Sequence, residues 1–220
     1  MKMMAIDQRQ IDIAMASAPT DEQCRAIDKV LAERRRIARL RAAAAIRMSD
    51  DSPWLILRTR VNCEVSVCEA LIASNIEALV PMKMGPKLRR QKREIPPRKA
   101  PVMVGYMLTR CPVNNDAIAA LLSFDNVSEV LGGYLSPYLV NAEKVRSFNE
   151  KALSGEFDHE RPVTLFSHLR KVRIIEGPFE GYIGEVVSSV GKGKGTAVVE
   201  IQFMNQPMPM IVPLAFLSPL

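Results

Sequence analysis

The stretch "VRIIEGPFEGYIGEVV", from Val172 to Val187, decides how the C-terminal part of the chain folds. Its two ends, 172–175 and 183–187, are rich in the β-branched residues that suit a pleated strand. Between and within them lie Gly177, Pro178, Gly181 and Gly184. Gly177 permits a positive φ, and Pro178 presets the next turn residue while removing a backbone donor. Gly181 and Gly184 leave room for a bulge or for close approach of another backbone. The reading is a hairpin bent by its turn, with Phe179 at the tip.

Working outward, Gly191, Gly193 and Gly195 form a connection to "TAVVEIQF", a strand. "NQPM" is a turn, and "PMIVPL" another strand. Five short strands over 165–220 predict a small β-barrel, barely large enough for a core of its own. Upstream, "DHERP" opens a linker placed at 158–164.

The middle segment, 53–157, alternates strand and helix signals. "WLILRTR", "IEALVPM", "PVMVGYMLTR" and "NVSEVLGGY" read as strands. "NCEVSVCEALIAS", "NNDAIAALLSF" and "NAEKVRSFNEKALSGEF" read as helices, the second capped by Asn114 or Asn115 and the third ended near Gly155. Gly105 marks a bulge or a close approach. This order predicts a small α/β sandwich, one sheet with helices on one face. A basic interruption, "MKMGPKLRRQKREIPPRKA", carries Lys83, Lys87, Arg89, Arg90, Lys92, Arg93, Arg98 and Lys99 against Glu94 alone. Its charge and prolines keep it out of the core, as a solvated loop or an arm-like hairpin; one sign at this density also suits phosphate contact.

Residues 1–52 read as a helical N-terminal extension. Thr20 and Gln23 have capping-box spacing, which starts a helix at Asp21. Val30, Ile37 and Ala44 recur every seven residues, with Ile27 and Leu40 in the same stripe. The stripe suits a surface helix docked on the rest of the chain; the alternative is an arm that touches nucleic acid or a partner.

The net charge of +6 is compatible with a nucleic-acid partner. Cys24, Cys63, Cys68 and Cys111 form no CxxC pair, which argues against a zinc site or a secreted disulfide scaffold. Neither a signal peptide nor an apolar run of membrane-spanning length is present, so the expectation is a cytoplasmic protein without cofactor, metal or membrane. His159 and His168 match no nucleophile or metal pattern, and Asp158 beside His159 is better read as a solvated pair than as a dyad. "GKGKG" lacks P-loop spacing. No enzyme is expected.

Together these residues resemble the NusG-type transcription elongation and antitermination factors. "VRIIEGPFEGYIGEVV" is similar to the KOW hairpin, with Gly177, Pro178, Phe179, Gly181 and Gly184 as its motif. Trp54, "EALVP" (77–81), the basic insertion, "VGYML" (104–108) and "EVLGG" (129–133) resemble the N-terminal domain of that family. The resemblance covers about Trp54 to Leu220. Two departures, Met103 and Val104 in place of an aromatic and a proline, and the long extension, point to a specialised paralogue. The C-terminal segment reads as β throughout, unlike the helical alternative state of the RfaH branch.

The resemblance implies an α+β chain with an NGN-like domain followed by an SH3-like KOW barrel. It implies binding to the clamp helices of the largest RNA polymerase subunit through an apolar patch of Met82, Met103 and Tyr106, with plain core packing as the alternative for each. Lys87, Arg89, Arg90, Lys92 and Arg93 would face upstream or non-template DNA. The barrel would recruit a small-subunit ribosomal protein, the Rho terminator or another antitermination factor through exposed Phe179 and Phe203; for Phe203 a core position is the alternative. A ribosome-associated or RNA-binding KOW protein is the competing class.

Overall fold

The computed structural model describes residues 20–85, 88–90, 93–158, 171–189 and 195–220. Contacts divide the chain into two compact units, one ending at Arg39 and one spanning Leu40–Leu220.

Helix α1 (Asp21–Ala44) starts where the capping box places it. The Thr20 amide donates to Gln23 Oε1 at 3.0 Å, and the Gln23 amide donates to Thr20 Oγ1 at 3.4 Å. Two of the donors left over at a helix start are satisfied this way. The expected burial of its stripe holds only at the C-terminal end. Ile27 and Val30 are both 51% exposed, and Leu31 is 40% exposed. Ala44, within the second unit, is buried, and Leu40 packs on the core there. The Arg41 guanidinium lies 4.1 Å from the Phe124 ring centroid and donates to the Ser123 carbonyl.

The second unit opens with β1 (Trp54–Thr59), α2 (Glu64–Ala73) and β2 (Glu77–Leu79). The basic insertion follows as β3 (Met82–Met84), β4 (Leu88–Arg90), β5 (Arg93–Ile95) and β6 (Lys99–Pro101). Then come β7 (Tyr106–Arg110), α3 (Asn115–Leu122), β8 (Val127–Val130), β9 (Leu139–Val140) and α4 (Ala142–Leu153). The central sheet has the order β2-β7-β1-β8, with β9 also paired to β1. Every pairing is antiparallel.

Strand β1 shows why the sheet needs cover on both sides. Its side chains alternate between faces. Leu55 and Leu57 join a core with Val67 and Leu71 of α2 and Ile118 and Leu121 of α3. Trp54 and Ile56 join a different core with Val145 and Phe148 of α4. The helices therefore lie on both faces, not on one as the alternation of elements suggested. Asn114 caps α3 by accepting from the Ala117 amide at 2.8 Å, and Gly155 ends the α4 region with φ +79°.

The C-terminal part comprises β10 (Lys171–Ile174), β11 (Ile183–Ser189), β12 (Thr196–Phe203), β13 (Gln206–Pro213), a 3-10 turn at Leu214–Phe216 and β14 (Leu217–Pro219). They pair antiparallel in the order β13-β12-β11-β10-β14. The five expected strands are present, but the order is open: among the described residues no pairing joins β13 to β14. Gly184 lies opposite Ile201 in the register, and the reason for glycine is space. A Cβ there would sit 2.5 Å from Val199 Cγ1 and 2.7 Å from the Glu200 carbonyl oxygen.

Replacing Gly184 with valine should overfill this contact and destabilise the fold by about 1–3 kcal/mol, read as a lowered midpoint in thermal unfolding.

Candidate functional site

The basic insertion is an arm. Its stem pairs β3 with β6, setting Met82 opposite Pro101 and Met84 opposite Lys99. Its outer part pairs β4 with β5, with Arg89 opposite Glu94 and Arg90 opposite Arg93. Of the two forms expected for this segment, the hairpin is the one observed. Lys87 and Lys92 lie outside the described residues. The base of the arm is held by the Gly85 amide on the Arg98 carbonyl (2.8 Å) and the Met84 amide on Asp158 Oδ1 (2.7 Å).

From the stem the chain enters a clamped segment. Gly105, at φ +83°, donates its amide to Glu64 Oε1 at 2.6 Å and accepts from the Thr59 amide at 2.8 Å. Glu64 is buried, so this hydrogen bond lies inside the fold. It fixes Met103 and Tyr106 on the face of the central sheet that α4 and the C-terminal strands share.

There Met103 is 8% exposed and Tyr106 5%. Phe179 and Phe203, expected to be exposed, are buried at 1% and 6%. The two sets were anticipated as separate sites; the fold brings them together. The Tyr106 ring meets Phe179 edge-on at 5.7 Å between centroids. Tyr138, before β9, stacks on Phe179 at 6.2 Å and meets Phe203 edge-on at 5.2 Å. Its hydroxyl donates to the Pro178 carbonyl at 3.1 Å. Met82, at the base of the arm, stays half-buried.

A second aromatic group closes the other end of the seam. Phe216 contacts Phe148 of α4 at 5.7 Å and Phe157 at 4.8 Å. Gly177 turns at φ +88°, which favours glycine, and the Phe148 ring would lie at ordinary contact distance, 3.4 Å, from a Cβ there. Between Met103, Phe179, Ile211 and Phe216 a void of only about 10 Å³ remains, too small for more than one water. Val104 and Ile211 form an isolated antiparallel bridge across the seam. At the rim, Lys151 pairs with Glu176 at 2.5 Å and Lys144 with Glu180 at 3.1 Å. The hydrogen bond from Lys151 to Glu176 raises the lysine pKa.

Sequence reasoning missed Tyr138, Phe148, Phe157, Tyr182 and Phe216. One signal was available: Val145, Phe148 and Ala152 give α4 a single apolar face at helical spacing. Which strands would cover that face was not legible locally.

A separate polar knot surrounds Arg110, which is 8% exposed. Its Nε and Nη2 donate to the two Glu77 carboxylate oxygens, both at 2.7 Å, and its Nη1 donates to the Asp50 and Ser49 carbonyls at 2.6 and 3.0 Å. The guanidinium also covers the Trp54 ring at 5.1 Å. With every bond spent on the protein, Arg110 acts as a staple for residues 49–50.

Among the described residues no cluster of His, Cys, Asp or Glu is placed to hold a metal ion, and no helix is long and apolar enough to cross a membrane. Asp158 bonds the arm, while its expected neighbour His159, like His168, lies outside the described residues.

Residues 52–149 match the family model described as "NusG: Transcription termination factor nusG". Among solved structures, the chain is similar to "Domain interaction in Thermotoga maritima NusG", at 19% identity over 80% of this chain and 99% of that one, with a TM-score of 0.37. It is also similar to "Crystal Structure of MjSpt4:Spt5 complex conformation A", at 16% identity over 76% and 97%, with a TM-score of 0.24. No curated protein matches. The segment 52–149, which holds the central sheet and the arm, is a NusG-type domain, and NusG is a family of transcription factors.

Burial, reinforced by Tyr182, pushes the Tyr138 pKa up to about 12. A tyrosine raised above its unfolded value of about 10 adds stability that is fully present below that value and is lost as pH rises through the folded pKa. Alkaline titration between pH 10 and 12 should therefore loosen the fold, and Tyr138→Phe should remove that part of the pH dependence while losing the Pro178 hydrogen bond. Tyrosinate absorbance followed alongside thermal unfolding measures both.

Proposed function

We propose that the protein is a transcription elongation factor that rides on RNA polymerase and modulates pausing and termination. The observation that supports this best is the NusG family match over 52–149, which spans the central sheet and the basic arm together. In this reading residues 53–157 are the polymerase-binding NGN-like domain, 1–52 a helical extension, 158–164 a linker and 165–220 a KOW barrel. Of the expected apolar patch, Met82, half-buried at the base of the arm, docks on the clamp helices of the largest subunit, while Met103 and Tyr106 take the core positions that were their alternative. Apolar anchors give the affinity there, and thioethers adapt to an irregular surface.

The arm contacts upstream or non-template DNA through Lys87, Arg89, Arg90, Lys92 and Arg93. The outer part of the arm sets Arg89 opposite Glu94 and Arg90 opposite Arg93 in its backbone register. The contacts are to phosphates and carry no base sequence. The C-terminal strands recruit a second partner: a small-subunit ribosomal protein, Rho or another antitermination factor. The chemistry is binding, performed in the cytoplasm alongside polymerase, with no catalytic residue and no cofactor.

Two measurements test this. Wild-type protein should co-purify with core RNA polymerase, and Met82→Asp, at a half-buried position that tolerates the change, should lower the affinity at least about tenfold, since a charge in a desolvated apolar contact is costly. Failure of the wild type to bind overturns the reading. Replacing Arg89, Arg90 and Arg93 with glutamine should weaken binding to DNA and flatten its dependence on log salt by about 2–3 units. An unchanged slope removes the arm from the nucleic-acid contact.

A further inference from the structure

We infer that α1 is a nucleic-acid-binding helix: its basic face, built from Arg25, Lys29, Arg36 and Arg39, lies along duplex DNA and holds the phosphates bordering the major groove without reading sequence. The inference is independent of polymerase docking and of the arm.

The face follows from spacing. At 3.6 residues per turn, positions 25, 29, 32, 36 and 39 fall on one side of the helix. Four of them are cations and the fifth is Ala32. All five are exposed. From Arg25 to Arg39 the row is about 21 Å long at a rise of about 1.5 Å per residue. The carboxylates of the helix stand at its margins, with Asp21 one turn before Arg25 and Glu22, Asp28 and Glu33 to the sides. Among the described residues one ion pair lies on α1, Arg36 to Glu33 at 3.5 Å, and its ends are 59% and 54% exposed. A pair so open to water contributes little and leaves the guanidinium available to a phosphate.

Helix stability does not account for the row. The macrodipole favours cations in the last turn, which explains Arg41 but not Arg25 or Lys29. Arg39 lies one turn from both Arg35 and Arg36, and like charges at those spacings work against the helix. Neither Arg35 nor Arg39 has a carboxylate three or four residues away. Phosphates along the row supply the missing counter-charge.

Shape selects the partner. A helix with its side chains is about 10–12 Å across, and the major groove of B-form DNA is about 12 Å wide. The deep, narrow major groove of duplex RNA does not admit it. Ala32 in the middle of the row lets the helix approach closely, with cations before and after it. The opposite side carries Ile27, Val30 and Leu31, exposed to water. Arg34 interrupts that side and α1 holds no aromatic residue, so it lacks the continuous apolar face that an interfacial membrane helix buries.

The test uses the full chain and a short DNA duplex of arbitrary sequence, titrated across a salt series. The variant Arg25→Gln/Lys29→Gln/Arg36→Gln/Arg39→Gln keeps good helix formers at exposed positions, and circular dichroism verifies its helix content. It should bind DNA at least about tenfold more weakly and flatten the dependence on log salt by about 3–4 units. A control of equal net charge, Arg60→Gln/Lys144→Gln/Lys171→Gln/Arg173→Gln, should stay near wild type. Duplex RNA of the same sequence and vesicles of anionic phospholipid should bind the wild type more weakly than the DNA does. An unchanged slope in the α1 variant, or an equal loss in the control, overturns the inference. Tighter binding to the RNA or to the vesicles overturns it in favour of that surface.

Discussion

Tyr138 sits where two parts of the chain meet. Its ring lies parallel to Phe179 and edge-on to Phe203, and its hydroxyl reaches the Pro178 carbonyl. Aromatic pairs of this kind contribute about 0.5–1.5 kcal/mol each beyond the area they bury. The larger effect is exclusion of water from Met103 and Tyr106 beneath. On this face of the central sheet Val145 and Phe148 of α4 and the rings of the C-terminal strands belong to one core.

That constraint explains features that otherwise look unrelated. Gly177 takes a φ of +88°, a conformation that favours glycine, and the Pro178 carbonyl that follows accepts from the Tyr138 hydroxyl. Glu64, buried in α2, accepts from the Gly105 amide in the segment between Met103 and Tyr106. Arg110, on the opposite edge of β7, fixes residues 49–50 and the Trp54 ring. The sheet is thus pinned at its edge by charge and covered on its face by rings.

Local structure was readable from the residues where the cause is local. The Thr20–Gln23 box, the Asn114 cap, the Gly155 stop and the crowding at Gly184 follow from neighbours within a few positions or from one adjacent strand. What depended on distant partners was not. Phe179 sits on a turn, where exposure is the ordinary expectation, yet it is buried by Tyr106 and Tyr138 from far upstream. The side of the sheet taken by α4 could not be read either, because β1 is apolar on both faces and accepts a helix on each. Of the candidate site, the residue types and the arm were legible; the juxtaposition of its two apolar patches was not.

The central claim is that the α/β half and the C-terminal strands pack as one body through this aromatic seam. Nuclear magnetic resonance of the full chain tests it most directly, through ring-proton contacts from Tyr138 to Phe179 and Phe203 and backbone relaxation on both sides. The account predicts those cross-peaks and a single rotational correlation time shared by 54–158 and 171–220. Absent cross-peaks, with the two parts tumbling at different rates, would contradict it.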